Sequence, residues 1–248
     1  MRAVVQTKPT LTVQEVEKPT PGENEVLVRI HAATVTRGDV IMRNMPRIAY
    51  LPLSLVGMRY KLTPGHEFAG VVEAVGQAVT RFRVGDAVLG TTTGLRAGAN
   101  AEYVVVPERW KSGVIVHKPD ALAFEDAAAL PVGGMTAHWL LNKADIQPGQ
   151  RVLVYGASGS VGSYAVQLAK HLSATVTAVC STRNVELVRS LGADEVIDYK
   201  AEDFATPGDT YDVIVDAVGK TTADQRKRAL KGGGRVVSVR SITKESAD

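Results

Sequence analysis

Short runs of Val, Ile and Thr recur through the first hundred-odd residues: Ala3–Gln6, Leu11–Glu15, Glu25–Ala33, Gly70–Val75, Ala87–Gly90 and Glu102–Val106. Turn formers separate them, as in Pro19-Thr20-Pro21-Gly22, Pro64-Gly65 and Val84-Gly85-Asp86. Many short, punctuated strands predict a barrel-like β domain. The pattern changes after Pro119. Leu122–Leu141 is rich in Ala and Leu, with Phe124, Ala128, Val132, Met135 and Trp139 at helical spacing. Gly133-Gly134 interrupts it, which predicts two shorter helices meeting there. From Arg151 the rhythm is regular. Strands are expected at Val152–Tyr155, Thr175–Cys180, Glu195–Asp198, Tyr211–Asp216 and Arg235–Val239, with helices at Ser160–His171, Val185–Leu191 and Thr222–Leu230. Near-continuous apolar strands alternating with helices predict an α/β domain with a doubly wound parallel sheet, covered on both faces. The chain thus divides at about residue 120, into 1–120 and 121–248.

Composition narrows the class. The 248 residues are 45% hydrophobic and 22% charged with a net charge of +3, which is ordinary globular chemistry without a nucleic-acid footprint. One cysteine, Cys180, excludes an intrachain disulfide and a Cys-rich zinc lobe, and fits a reducing cytoplasm. No apolar run follows the basic residues of MRAVVQTKPT, so no secretory signal is read there. The apolar stretch Ile48–Met58 falls well short of the ~20 residues of a membrane span.

Candidate chemistry begins at Tyr155-Gly156-Ala157-Ser158-Gly159-Ser160-Val161-Gly162, which follows a strand and opens a helix. Gly156 suits the sharp turn, Gly159 the close approach of a pyrophosphate, and Gly162 the packing of helix on strand. The spacing is one residue off G-x-G-x-x-G. Free N–H groups and the helix dipole would face the phosphates; the alternative is a tight βα turn without a ligand. The tip of the second strand reads Cys180-Ser181-Thr182-Arg183-Asn184, with no acid to accept ribose hydroxyls. Small hydroxyls followed by Arg183 suit a 2′-phosphate, so NADPH is favoured over NADH. Asn184 either supports that phosphate or caps the next helix. A full dinucleotide-binding sheet has six strands; five are counted here.

Further motifs are Pro64-Gly65-His66-Glu67-Phe68-Ala69-Gly70-Val71-Val72-Glu73-Ala74-Val75-Gly76, Phe82-x-Val84-Gly85-Asp86-x-Val88, Ala101-Glu102-Tyr103, Leu130-Pro131-x-x-Gly134-x-Thr136-Ala137 and Leu191-Gly192-Ala193-Asp194-x-Val196-Ile197-Asp198-Tyr199. With the glycine loop, they resemble the medium-chain dehydrogenase/reductases, in particular the zinc-independent quinone oxidoreductase and enoyl reductase branch. The resemblance implies a GroES-like β-barrel domain on the substrate side and a Rossmann domain, with nicotinamide in the cleft between them. Zinc relatives use a Cys-x-x-Asp element, the His of Gly-His-Glu and a later Cys or acid. Thr36 stands at the first position here, and His66 alone remains of the set, so no metal is expected. His66 is then either a cleft residue beside the nicotinamide or a residue satisfied within the barrel. Asp39 and Glu67 read as structural hydrogen-bond acceptors.

Without a metal to hold an alkoxide, reduction of an electron-poor C=C or quinone is the accessible chemistry. The resemblance puts Thr36 near the nicotinamide and makes Tyr60 or Tyr50 the substrate-side phenol. The apolar Ile48–Met58 either walls a lipophilic pocket, the reading preferred here, or packs on the barrel. Thr136 would contact the nicotinamide end, Tyr199 the 2′-phosphate, and the loop Asp216-Ala217-Val218-Gly219 the cofactor through its backbone. The expected activity is NADPH-dependent reduction of a small lipophilic quinone or α,β-unsaturated carbonyl. An enoyl-thioester reductase and a non-catalytic NADPH-binding protein are the alternatives. The resemblance also implies further C-terminal strands, a returning barrel segment and a possible homodimer, so the chain is expected to be an incomplete version of a longer enzyme.

Overall fold

Alternating apolar residues make the N-terminal strands pair. The computed structural model describes residues 1–7, 10–44, 63–92, 97–110, 113–205 and 210–240. The chain folds as two units, Met1–Pro131 and Val132–Asp248. In the first unit, β1 (Arg2–Thr7) and β2 (Thr10–Glu15) form an antiparallel hairpin. β3 (Glu25–Ala33), β4 (Glu67–Val75), β5 (Ala87–Thr91), β6 (Tyr103–Pro107) and β7 (Val114–His117) form an antiparallel half-barrel in the order β6-β3-β4-β5-β7. Val26, Val28, Phe68, Val72, Val88, Val106 and Ile115 fill one core. Ala69 and Leu89 pack instead with Ala127 and Ala128, because successive strand residues face opposite sides.

Two elements of this unit escape the strand pattern. β7 is a four-residue run followed closely by Pro119. The helix α1 (Arg37–Asn44) begins behind Thr36-Arg37-Gly38-Asp39. The Thr36 amide donates to Asp39 Oδ2 at 2.7 Å, and the Asp39 amide donates to Thr36 Oγ1 at 3.3 Å. This is reciprocal capping by a hydroxyl and an acid three residues apart.

The expected break at Gly133-Gly134 is absent. A single helix, α2 (Phe124–Ala144), runs through both glycines and Pro131. Each helical glycine costs only ~1 kcal/mol, and burial of Ala127, Ala128, Ala137, Leu140, Leu141 and Ala144 outweighs it. Gly133 also has a steric reason: a Cβ there would lie 2.2 Å from Ser160 Oγ.

The second unit matches the alternating pattern. β8 (Arg151–Tyr155), α3 (Ser160–His171), β9 (Thr175–Cys180), α4 (Val185–Ser190), β10 (Glu195–Asp198), β11 (Tyr211–Asp216), α5 (Ala223–Ala229) and β12 (Leu230–Ser238) follow in order, with a 3₁₀ turn at Thr182–Asn184. The sheet is parallel, in the order β10-β9-β8-β11-β12. Val152, Val154, Val176, Ala178, Val213 and Val215 pack with α3, while Leu153, Val179, Tyr211 and Ile214 pack with Phe204 and Ala229 on the other face. β12 begins earlier than expected, at Leu230, with a register shift opposite Tyr211/Val213.

Candidate functional site

The strand order reverses between β8 and β11, so the loops leaving these two strands are neighbours at the carboxyl edge of the sheet. Gly156 turns the chain with φ of 82°, where an L side chain is strained. A Cβ there would also meet Val218 Cγ2 at 2.2 Å, so Gly156 and Val218 are in direct apposition. The amides of Gly156 and Ala157 both donate to the Val179 carbonyl at 3.0 Å, which pins the loop to β9. Gly162 presses on the loop itself: its Cβ would lie 2.2 Å from the Gly156 carbonyl oxygen.

Gly159 is different. A Cβ there finds nothing closer than the Gly156 oxygen at 3.4 Å, so an open cradle lies over it. Gly159 is also the N-cap of α3, and no side chain caps that helix. The amides of Ser160 and Val161 therefore begin an uncapped helix carrying a partial positive charge, the donor set a pyrophosphate requires. The β11 loop is held from below by Asp216, which is buried. Its carboxylate accepts from the amides of Val218 (3.2 Å), Gly219 (2.8 Å) and Thr221 (2.9 Å) and from Thr221 Oγ1 (2.7 Å). Such a carboxylate, which shapes the loop without facing a ligand, carries no motif of its own.

At the tip of β9, Asn184 Nδ2 donates to Ser158 Oγ at 2.9 Å and to Ser181 Oγ at 3.2 Å. The glycine loop and the strand tip are thereby joined. Asn184 does not cap α4 with its side chain. Arg183 is exposed beside it. Asp198, at the end of β10, accepts from the Thr182 hydroxyl and the Lys200 amide, and these hold its carboxyl below the ordinary range. Tyr199 is exposed and lines a cavity of about 330 Å³ with Tyr155, Lys200, Asp203, Phe204 and Gln225. Thr136 is half-buried on α2, one turn beyond the Gly133–Ser160 contact.

Two candidates of the first unit, Thr36 and His66, can be placed, both bonded to Asp39. Thr36 Oγ1 donates to Asp39 Oδ2 at 2.8 Å, so its proton is engaged. His66 Nδ1 lies 2.7 Å from Asp39 Oδ1, which also accepts from the Gly65 amide at 3.1 Å. Burial raises the Asp39 pKa, but the bonds from His66 and Thr36 outweigh it and hold it at about 2. An ionised Asp39 accepts the proton carried on His66 Nδ1, and among the described residues Nε2 has no hydrogen-bond partner. Among the described residues no three His, Cys, Asp or Glu side chains converge on a metal position. Tyr50, Tyr60 and Ile48–Met58 lie outside the described residues. Among the described residues, no helix is long and apolar enough to cross a membrane.

A doubly wound sheet with an open, uncapped glycine turn at its switch point defines a dinucleotide-binding protein of the Rossmann class, joined to a GroES-like half-barrel. Comparison with known proteins agrees. Residues 22–120 match the alcohol dehydrogenase GroES-like domain family, and residues 160–246 match the zinc-binding dehydrogenase family. The chain is 35% identical over 235 residues to quinone-oxidoreductase QR1, chloroplastic, of Triphysaria versicolor, covering 91% of this chain and 69% of that protein. It is 36% identical over 226 residues to the NADPH-dependent alkenal/one oxidoreductase, chloroplastic, of Arabidopsis thaliana, covering 88% and 55%. The solved quinone oxidoreductase of Coxiella burnetii superposes with a TM-score of 0.84 at 31% identity, covering 99% of this chain and 76% of that one. The chain belongs to the medium-chain dehydrogenase/reductase superfamily, in its quinone oxidoreductase branch.

Proposed function

We propose that the chain is an NADPH-dependent reductase of quinones or α,β-unsaturated carbonyls that works without zinc. The observation that carries this reading is that Cys180–Asn184, the segment leaving β9 beside the uncapped start of α3, offers no acid of its own, while neighbouring Asp198 is already engaged by Thr182 and the Lys200 amide. A carboxylate at the tip would bind two ribose hydroxyls and repel a 2′-phosphate. Arg183 offers a paired donor to that phosphate instead. The names of the relatives, a quinone oxidoreductase and an NADPH-dependent alkenal/one oxidoreductase, point the same way.

In this reading Ser158 and the free amides that open α3, Val161 among them, hold the pyrophosphate over Gly159, while Gly156, Ala157 and Gly162 shape the turn that presents them. Ser181, Arg183, Asn184 and Tyr199 hold the 2′-phosphate end. Val218 and Gly219 line the site through their backbone, and Thr136 faces the nicotinamide end. The bound cofactor supplies a hydride. The protein orients the acceptor and stabilises the developing enolate or hydroquinone oxygen, which then takes a proton. Thr36 already donates to Asp39, so that polar contact falls to His66, oriented by Asp39, or to Tyr50 or Tyr60. A threonine with its proton engaged and one open imidazole nitrogen are a poor zinc set. Buried Cys180 suits a reducing compartment, and we place the protein in the cytoplasm.

The test is NADPH consumption with a panel of quinones, enones and enoyl thioesters, each with and without a chelator. Quinone or enone turnover that prefers NADPH and ignores the chelator is expected. Thioester-only turnover, a preference for NADH, or loss of activity with the chelator overturns the proposal.

A further inference from the structure

Three side chains suited to capping stand around the β9 tip, and their hydrogen bonds are distributed unequally. Ser181 is the N-cap of the 3₁₀ turn and Asn184 the N-cap of α4, yet neither side chain caps anything. Side-chain caps are worth ~1 kcal/mol each, so leaving two unmade marks a constraint other than stability. The side chains bond to one another instead. Asn184 Nδ2 has two hydrogens, one donated to Ser158 Oγ and the other to Ser181 Oγ. Both hydroxyls therefore act as acceptors toward the protein. Among the described residues neither donates to a protein group, so each keeps its own proton to give. The Thr182 side chain lies outside this bridge: among the described residues it bonds to neither serine nor to Asn184.

We infer that Asn184 is a positioning residue for cofactor selection. It occupies one acceptor position on each of two serines and so orients their O–H groups outward as donors, Ser158 toward the pyrophosphate and Ser181 toward the 2′-phosphate. The inference rests on the NADPH reading above. It adds that recognition at the two phosphate positions is coupled through one amide, and that Thr182, adjacent in sequence, takes no part. An aspartate at 184 would accept both serine protons and place a negative charge between the two anions.

The experiment is a double-mutant cycle on the full chain, read by calorimetric binding of adenosine 2′,5′-bisphosphate and of ADP, with far-UV circular dichroism to confirm folding. Ser181→Ala is expected to weaken the bisphosphate by about tenfold and ADP by less than about twofold. In an Asn184→Ala background, where the hydroxyl is free to rotate, the same substitution is expected to cost less than about twofold. Asn184→Asp should weaken both ligands more than Asn184→Ala does, and Thr182→Ala should change neither. Additive losses in the cycle, or an Asn184→Asp chain that binds as the native one does, overturn the positioning role while leaving the cofactor reading intact. A native chain that binds ADP as tightly as the bisphosphate overturns the NADPH preference, and one that binds neither overturns the dinucleotide reading, and the inference with it.

Discussion

Arg183 and Asp39 illustrate two ways in which one charged side chain decides an outcome. Arg183 is exposed and its neighbours are hydroxyls and an amide, so its contribution appears only when an anion is present. Arg183→Ala is expected to raise KM for NADPH by about tenfold or more while leaving KM for NADH within about twofold. Steady-state kinetics with both cofactors checks this, and equal changes would remove the 2′-phosphate assignment. Asp39 acts on the fold itself. Its pKa falls from 3.8 to about 2 because His66 and Thr36 donate to the charged form against the cost of burial. A depressed pKa stabilises the folded state above the ordinary value, and the stabilisation is lost as pH falls through the folded value. Asp39→Asn lacks this contribution. The native chain should thus be more stable than the variant at neutral pH, with a gap that shrinks between about pH 4 and about pH 2. Urea midpoints across that range test it; a gap independent of pH would mean that the carboxylate charge is not what Thr36 and His66 stabilise.

At the scale of elements, α2 gives the sharpest test, because its two adjacent glycines have opposite surroundings. Among the described residues nothing lies within 4 Å of a Cβ built at Gly134, whereas one at Gly133 meets Ser160 Oγ at 2.2 Å and the Tyr164 ring at 3.0 Å. Gly134→Ala should therefore stabilise the chain by about 0.5–1 kcal/mol through helix propensity. Gly133→Ala should destabilise it by about 1–3 kcal/mol through overpacking. Urea unfolding reads both, and shifts of the same sign would show that α2 does not press on α3 there. The same pair shows what local pattern conveys. Strands such as β9, Thr175–Cys180, and helices such as α3 were legible because their own residues carry the period. Gly133-Gly134 reads as a break because the neighbour that requires Gly133, Ser160, is remote in sequence. The glycine turn was legible for the first reason. The Ser158–Asn184–Ser181 bridge was not, since its longer arm joins residues 26 apart and exists only because β8 and β9 pair in parallel. α1 had a local signal, Thr36-x-x-Asp39, that strand periodicity overshadowed.

Across the whole molecule, each of the four buried clusters among the described residues draws on one unit, two within Met1–Pro131 and two within Val132–Asp248. The proposed pyrophosphate and 2′-phosphate contacts all belong to the second. A ligand that binds only the folded form of a unit stabilises that unit by mass action, by about 2.7 kcal/mol at one hundred times its Kd. Adenosine 2′,5′-bisphosphate carries the adenosine half of the cofactor and no nicotinamide, so its stabilisation should fall on the second unit alone. The two tryptophans make this measurable, because Trp110 lies in the first unit and Trp139 in the second. Trp110→Phe leaves a fluorescence reporter on the second unit, and Trp139→Phe leaves one on the first. With the bisphosphate present, the thermal transition reported by Trp139 should move upward by several degrees while that reported by Trp110 stays in place. Both reporters moving together would mean that α2, which passes through the boundary at Pro131, fuses the two cores into one cooperative unit. A shift in the Trp110 trace alone would put the phosphate site on the other half of the chain.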